Sequence, residues 1–119
     1  MGPVSFPRAV RLLQPAEFSH VFQNGTRSSD ACFVVLACGS GAATARLGLA
    51  VAKKAVAQAA VRTRIKRTVR ESFRGWRGSL PTVDIVVQAR AAAGHRDNAE
   101  LRASLDWHWR EVIKRCRAS

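Results

Sequence analysis

The side chains with the densest chemical pattern in this chain are cations. Arg62, Arg64, Lys66, Arg67, Arg70 and Arg74 all fall within AVRTRIKRTVRESFR, residues 60–74. Placed on a helix at about 100° per residue, the stretch divides into two faces. Val61, Ile65, Val69 and Phe73 make an apolar stripe. Arg62, Lys66, Arg70 and Arg74 form a parallel row, joined by Arg67, with Arg64 further round. One face can bury while the other meets a polyanion. Solvated helix faces usually mix signs, whereas residues 62–77 carry seven Lys or Arg against one acid, Glu71. That bias favours phosphate binding. Glu71 follows Arg67 by four residues and precedes Arg74 by three, a spacing that predicts it to steady both.

Protein-borne catalysis finds no comparable pattern. His20, His95 and His108 are scattered, and none pairs with a cysteine at a metal spacing. The eight acids are dispersed, without the paired carboxylates that hold two Mg²⁺ in nucleases. Gly39-Ser40-Gly41 lacks the lysine and the helix of a phosphate loop. No nucleophile–base pair stands out along the chain. We therefore expect no catalytic residues, no protein metal site and no organic cofactor, and read a binding protein.

Composition agrees. The 119 residues suit one domain, 1–119, with a core of its own. Twenty Lys and Arg against eight acids give a net charge of +12, which attracts polyanions, nucleic acid foremost. An anionic membrane is the rival, but no apolar run approaches the ~18 residues that span a bilayer. The start, MGPVSFPRAVRLL, lacks a signal-peptide core, so a cytoplasmic location is expected. Three cysteines, an odd number, argue against a disulfide framework. Cys32, Cys38 and Cys116 read as small hydrophobes.

Several elements must position the cationic row. Residues 1–10, with Pro3 and Pro7, read as a flexible leader. Pro15 suits the first turn of a short helix ending at Asn24-Gly25, with Gly25 available for a left-handed cap. Its apolar positions are Phe18, Val21 and Phe22. Ala31–Cys38 and Arg46–Ala52 read as strands joined in a hairpin through 39–44. Cys32, Val34 and Leu36 are expected on one face. Lys53 and Lys54 follow in the loop before the central helix, which Gly75, Gly78 and Pro81 terminate. Val83–Ala89 is the third strand. Asp97 and Glu100 form a capping box for a last helix whose stripe is Leu101, Leu105, Trp109, Val112 and Cys116. Trp107 falls off that stripe and is expected to be partly exposed; it could stack on a base, but an incidental surface aromatic is the favoured reading. The class is α+β, a single-layer sheet packed with helices in the order αββαβα.

The motif KK-x7-R-x-R-I-K-R-x-x-R-E-x-F-R, from Lys53-Lys54 to Phe73-Arg74, resembles the signature helix of the bacterial ribonuclease P protein subunit. The resemblance extends to most of the chain. RLLQPAEFSHVFQNGTR, residues 11–27, is similar to the family's opening helix, whose two phenylalanines face a cleft for the 5′ leader of precursor tRNA. One departure stands in the motif, Thr63 where the family usually has Asn; the amide is lost.

The resemblance implies a mixed sheet of three to four strands with a left-handed βαβ crossover, where pattern alone would choose right-handed. It implies that the RNA subunit is the catalyst and holds the Mg²⁺. The partners would be that RNA and precursor tRNA, with no membrane and no small-molecule substrate. Matched to the motif, Arg62, Arg64, Lys66, Arg67 and Arg70 would face RNA, as would Arg74, Lys53 and Lys54. Arg11, Arg46 and Arg90 are added as isolated cations. Phe18 and Phe22 would stack leader bases. Leu36, where some family members carry an aromatic, would line the cleft and contact the leader more weakly.

Three other classes compete. A structural RNA-binding protein, a ribosome component or RNA chaperone, fits the composition as well, and only the two motifs speak against it. A DNA-binding regulator lacks the short turn to a scaffold helix. A protein-only nuclease lacks the metal cluster.

Overall fold

The computed structural model describes residues 11, 14–40 and 44–117. The leader expected over 1–10 and residues 41–43 of the 39–44 turn lie outside these. In chain order the elements are α1 (Pro15–Asn24), β1 (Thr26–Ser29), β2 (Phe33–Gly39), β3 (Arg46–Ala50), α2 (Ala59–Trp76), β4 (Val83–Ala89) and α3 (Asn98–Arg117). Short 3₁₀ turns follow α2 (Arg77–Ser79) and β4 (Ala91–His95). The mixed α+β class is as expected, and the sheet has four strands, within the three to four that the resemblance implies and one more than the local pattern gave.

Strand order is β1-β2-β4-β3, which corrects the expected hairpin. β4 lies between β2 and β3, antiparallel to the first and parallel to the second. The physical reason is burial: VDIVVQA is covered on both faces, as a central strand must be. RLGLA is only half-covered and takes the edge, where Leu47 bridges to Arg11. The parallel β3–β4 pair, connected through α2, is the βαβ unit.

β1 went unpredicted because TRSS is short and polar. Its position follows from the turn after α1. Gly25 is extended (φ −81°), not left-handed. A Cβ there would lie 2.6 Å from the Val21 carbonyl oxygen and 2.9 Å from that of Ala37. Glycine is required by this close approach, which folds the chain from α1 directly against β2.

The alternation of β2 and β4 splits the core. Phe33, Val35, Ala37, Ile85 and Val87 face α2 and α3; Val34, Leu36 and Val86 face α1 through Val21 and Phe18. Cys32 precedes the strand and joins the α2/α3 side, not the face of Val34 and Leu36. On α2, Ile65, Val69 and Phe73 are fully buried. On α3, Leu101, Leu105, Trp109 and Val112 are buried and Cys116 half-buried. Trp109 clasps α2: its ring meets Phe73 edge-on at 5.9 Å, and its Nε1–H donates to Ser72 Oγ at 2.8 Å. The Asp97/Glu100 capping box forms in both directions, at 2.8 and 3.1 Å.

Candidate nucleic-acid interface

Burial of Ile65, Val69 and Phe73 fixes the rotation of α2 and so decides which cations reach solvent. Arg67, Arg70 and Arg74 occupy the fully exposed side, with Thr63, and Lys66 is half-buried at its border. These four cations make no hydrogen bond or ion pair among the described residues. Glu71 does not pair with Arg67 or Arg74, contrary to expectation, so their charge is undiminished. Thr63, Arg67, Arg70, Glu71 and Arg74 line a shallow groove of ≈ 440 Å³.

The other two arginines of the motif have internal partners. Arg62 donates to the carbonyl oxygens of Val56 (2.9 Å) and Ala57 (2.7 Å), pinning the segment that enters α2. Arg64 donates to Asn98 Oδ1 at 2.8 Å, where Thr68 Oγ1 also reaches at 3.4 Å, and so ties α2 to the start of α3. Each therefore also shapes the platform. Lys53 and Lys54 are exposed at the tip of a turn closed by Ala55 and Val56 N–H donating to the Ala52 carbonyl. Arg62 thereby anchors the loop that presents them.

The isolated cations separate. Arg46 is held by Asp84, with Nε and Nη2 each 2.7 Å from a carboxylate oxygen, and by Glu17 at 2.8 Å. The bidentate pair with Asp84 raises the Arg46 pKa and joins the starts of β3 and β4, and Glu17 adds α1 to them. Arg90 is exposed and donates to the Asp30 carbonyl at 3.3 Å. Arg11 is exposed beside β3.

On the opposite side of the sheet, α1 presents Phe22 at 43% exposure, while Phe18 is half-buried against Val21, Val34, Leu36 and Val86. Leu36 is only 7% exposed, so it floors this cluster beneath α1. Of the three expected cleft residues, Phe22 is free to stack, Phe18 partly so.

Sequence reasoning missed a buried polar cluster. His108 is fully buried, with Nδ1 2.7 Å from Ser28 Oγ and Nε2 3.2 Å from Asp30 Oδ1, off the hydrogen-bond direction. Asp30 Oδ1 also accepts from the Cys32 and Phe33 N–H groups, and Oδ2 from Ser104 Oγ at 2.5 Å. Burial pushes the His108 pKa below its ordinary value against the pull of Asp30. Burial raises the Asp30 pKa, but the bonds from Ser104 and Phe33, together with the nearby His108 ring, outweigh it and hold the carboxyl low. A Ser-His-Asp grouping that no substrate can reach is a fastener, joining β1 to α3. One signal was legible: His108 falls at i+3 from Leu105, on the buried stripe.

Among the described residues, no three His, Cys, Asp or Glu side chains are grouped to hold a metal ion. On the basic surface Glu71 is the single carboxylate lining the groove, and one carboxylate among three arginines does not fit a Mg²⁺ site. Nor, among these residues, is any helix long and apolar enough to cross a membrane.

Comparison with known proteins bears on this surface. The family model described as Ribonuclease P matches residues 6–113. A ribonuclease P protein component of Methylococcus capsulatus is 46% identical over 114 residues, 96% of this chain and 89% of the relative. That of Pseudoalteromonas atlantica is 44% identical over 119 residues, covering 100% and 99%. The RNase P protein of Staphylococcus aureus superposes with a TM-score of 0.82 at 30% identity, over 89% of this chain and 99% of the other. That of Thermotoga maritima gives 0.76 at 32% identity, over 86% and 96%.

Proposed function

Because the chain belongs to the ribonuclease P protein family, we propose how its two faces divide the work of that enzyme's protein subunit. The protein is the non-catalytic subunit of a ribonuclease that processes tRNA, and a ribosome-component or chaperone role is not favoured. The observation that carries our reading is the unpaired row of Arg67, Arg70 and Arg74 on a helix whose other side is locked in the core.

That row, with Lys66, Lys53 and Lys54, neutralises phosphates of the catalytic RNA, so polyanionic substrate can approach. Arg62 and Arg64 contribute charge at the same surface while holding its geometry. Arg90 and Arg11 add peripheral charge. Arg46 contributes least, because two carboxylates already compensate it. Mg²⁺ belongs to the RNA, and no step of the chemistry is assigned to this chain. On the α1 side, Phe22 and the exposed part of Phe18 offer π-faces to the 5′ leader, a sequence-tolerant contact that favours precursor over mature tRNA.

The test is the ratio of precursor to mature tRNA affinity in the reconstituted holoenzyme. Phe22→Ala should lower it about 5-fold or more, from the loss of one stacked base. Equal losses for both tRNAs would remove Phe22 from the leader path.

A further inference from the structure

The outer face of α3 combines an exposed aromatic with one cation that lacks its intrahelical acid and another that is only weakly paired. Trp107 is 42% exposed, and its ring stands edge-on against the buried His108 ring at 4.8 Å, which holds its orientation. Arg110 and Lys114, three and seven residues on, flank it on the same side of the helix.

Arg110 follows Asp106 by four residues, the spacing of an intrahelical ion pair. That pair does not form. Asp106 Oδ1 instead accepts from Trp76 Nε1–H at 3.0 Å, and the Arg110 guanidinium lies over the Trp76 ring, 5.6 Å from its centroid. The end of α2 thus takes up the acid that would neutralise Arg110 and supports the guanidinium by a cation–π contact. The other nearby acid, Glu111, lies 3.3 Å from Arg115 and only 3.9 Å from Lys114, whose side chain is 79% exposed. So weak a solvated pair leaves Lys114 available.

We propose that Trp107, Arg110 and Lys114 form a second RNA contact, in which an unpaired nucleotide stacks its base on Trp107 and sets its phosphates against the two cations. Single-strand sites are built from this combination of π-face and flanking charge. The source is the catalytic RNA subunit. α3 lies beside α2 on one side of the sheet, and α1 with Phe22 lies on the other, so RNA lying along Arg67, Arg70 and Arg74 continues onto α3. This inference rests on the assignment of α2 to that RNA.

The experiment is equilibrium binding of the full chain to a bacterial ribonuclease P RNA, across a salt series. Trp107→Ala should weaken binding about 5- to 140-fold and Trp107→Phe, which keeps a π-face, much less. The double variant Arg110→Gln/Lys114→Gln should reduce the salt slope by about 1.4 to 1.8. Melting temperature identifies a Trp107→Ala protein that fails to fold, and the double variant then decides alone. Wild-type affinity in Trp107→Ala, or an unchanged slope in the double variant, would overturn the proposal. So would a loss confined to the precursor-to-mature tRNA ratio, which would give this face to substrate. Failure of the wild-type chain to bind the RNA at all would instead sink the α2 assignment on which this one rests.

Discussion

Replacing Arg67, Arg70 and Arg74 by glutamine separates electrostatic binding from folding, because these side chains are exposed and partnerless. Each phosphate contact contributes about 0.7 to 0.9 to the slope of log affinity against log salt. The triple variant should therefore lose about 2 to 2.7 units of slope. At ~0.15 M salt, a contact of that slope strengthens binding by about fourfold to fivefold, so three are worth about 10²-fold. The two binding curves should converge toward ~1 M salt, where counterion release no longer drives association. Stability should barely move, since exposed substitutions of this kind cost within about 0.5 kcal/mol. The assay is a titration of ribonuclease P RNA with wild-type and triple-variant protein from low to high KCl, alongside thermal melts. An unchanged slope, or a loss of affinity equal at all salt concentrations, would refute the argument that this row neutralises phosphates.

Other substitutions should behave differently. Arg62→Gln leaves the Val56 and Ala57 carbonyls without their donor, so it should cost about 1 kcal/mol of stability in a urea titration as well as RNA affinity. Gly25→Ala forces a Cβ against two carbonyl oxygens and should destabilise by about 1–3 kcal/mol, read from the same titration. Stability should also fall in acid, in two steps. His108 has a folded pKa below 6.5, so its contribution is complete above 6.5 and declines as the pH drops through that value toward the depressed one. Asp30, held below 3.8, adds its loss only as the pH falls past 3.8 toward its folded value. Urea midpoints from pH 8 to 3 for wild type and His108→Gln check this, the variant losing the first step and keeping the second.

The parts of this fold that were legible came from strong periodicity. Ile65, Val69 and Phe73 on α2, and Leu101, Leu105, Trp109 and Val112 on α3, repeat at helical spacing because both helices bury one stripe against one sheet. Sheet order was not legible. β2 and β3 follow one another and both read as strands, yet β4 inserts between them, and pairing partners distant in sequence leave no local pattern. The uninterrupted apolar run of VDIVVQA, a signature of a strand covered on both faces, was the available clue. β1 left none, since the buried Ser28 bonds to His108, 80 residues away in sequence.

The same division holds at the candidate interface. Charge and spacing identified the cationic helix, but partners decide which charges are free. Arg62, Arg64 and Arg46 find carbonyl, amide and carboxylate oxygens that lie outside their own helix turn or on other strands. Leu36, similarly, was placed in the cleft by the resemblance, and it lies buried beneath Val21 and Phe18 of α1.

The central claim is that this chain supports RNA-catalysed cleavage rather than performing it. Its most direct test is 5′-leader cleavage of a precursor tRNA at low Mg²⁺, with the protein alone, a bacterial ribonuclease P RNA alone, and the two together. Strong activity is expected in the mixture only. Cleavage by the protein alone, or no gain over RNA alone with folded, RNA-binding protein, would contradict it.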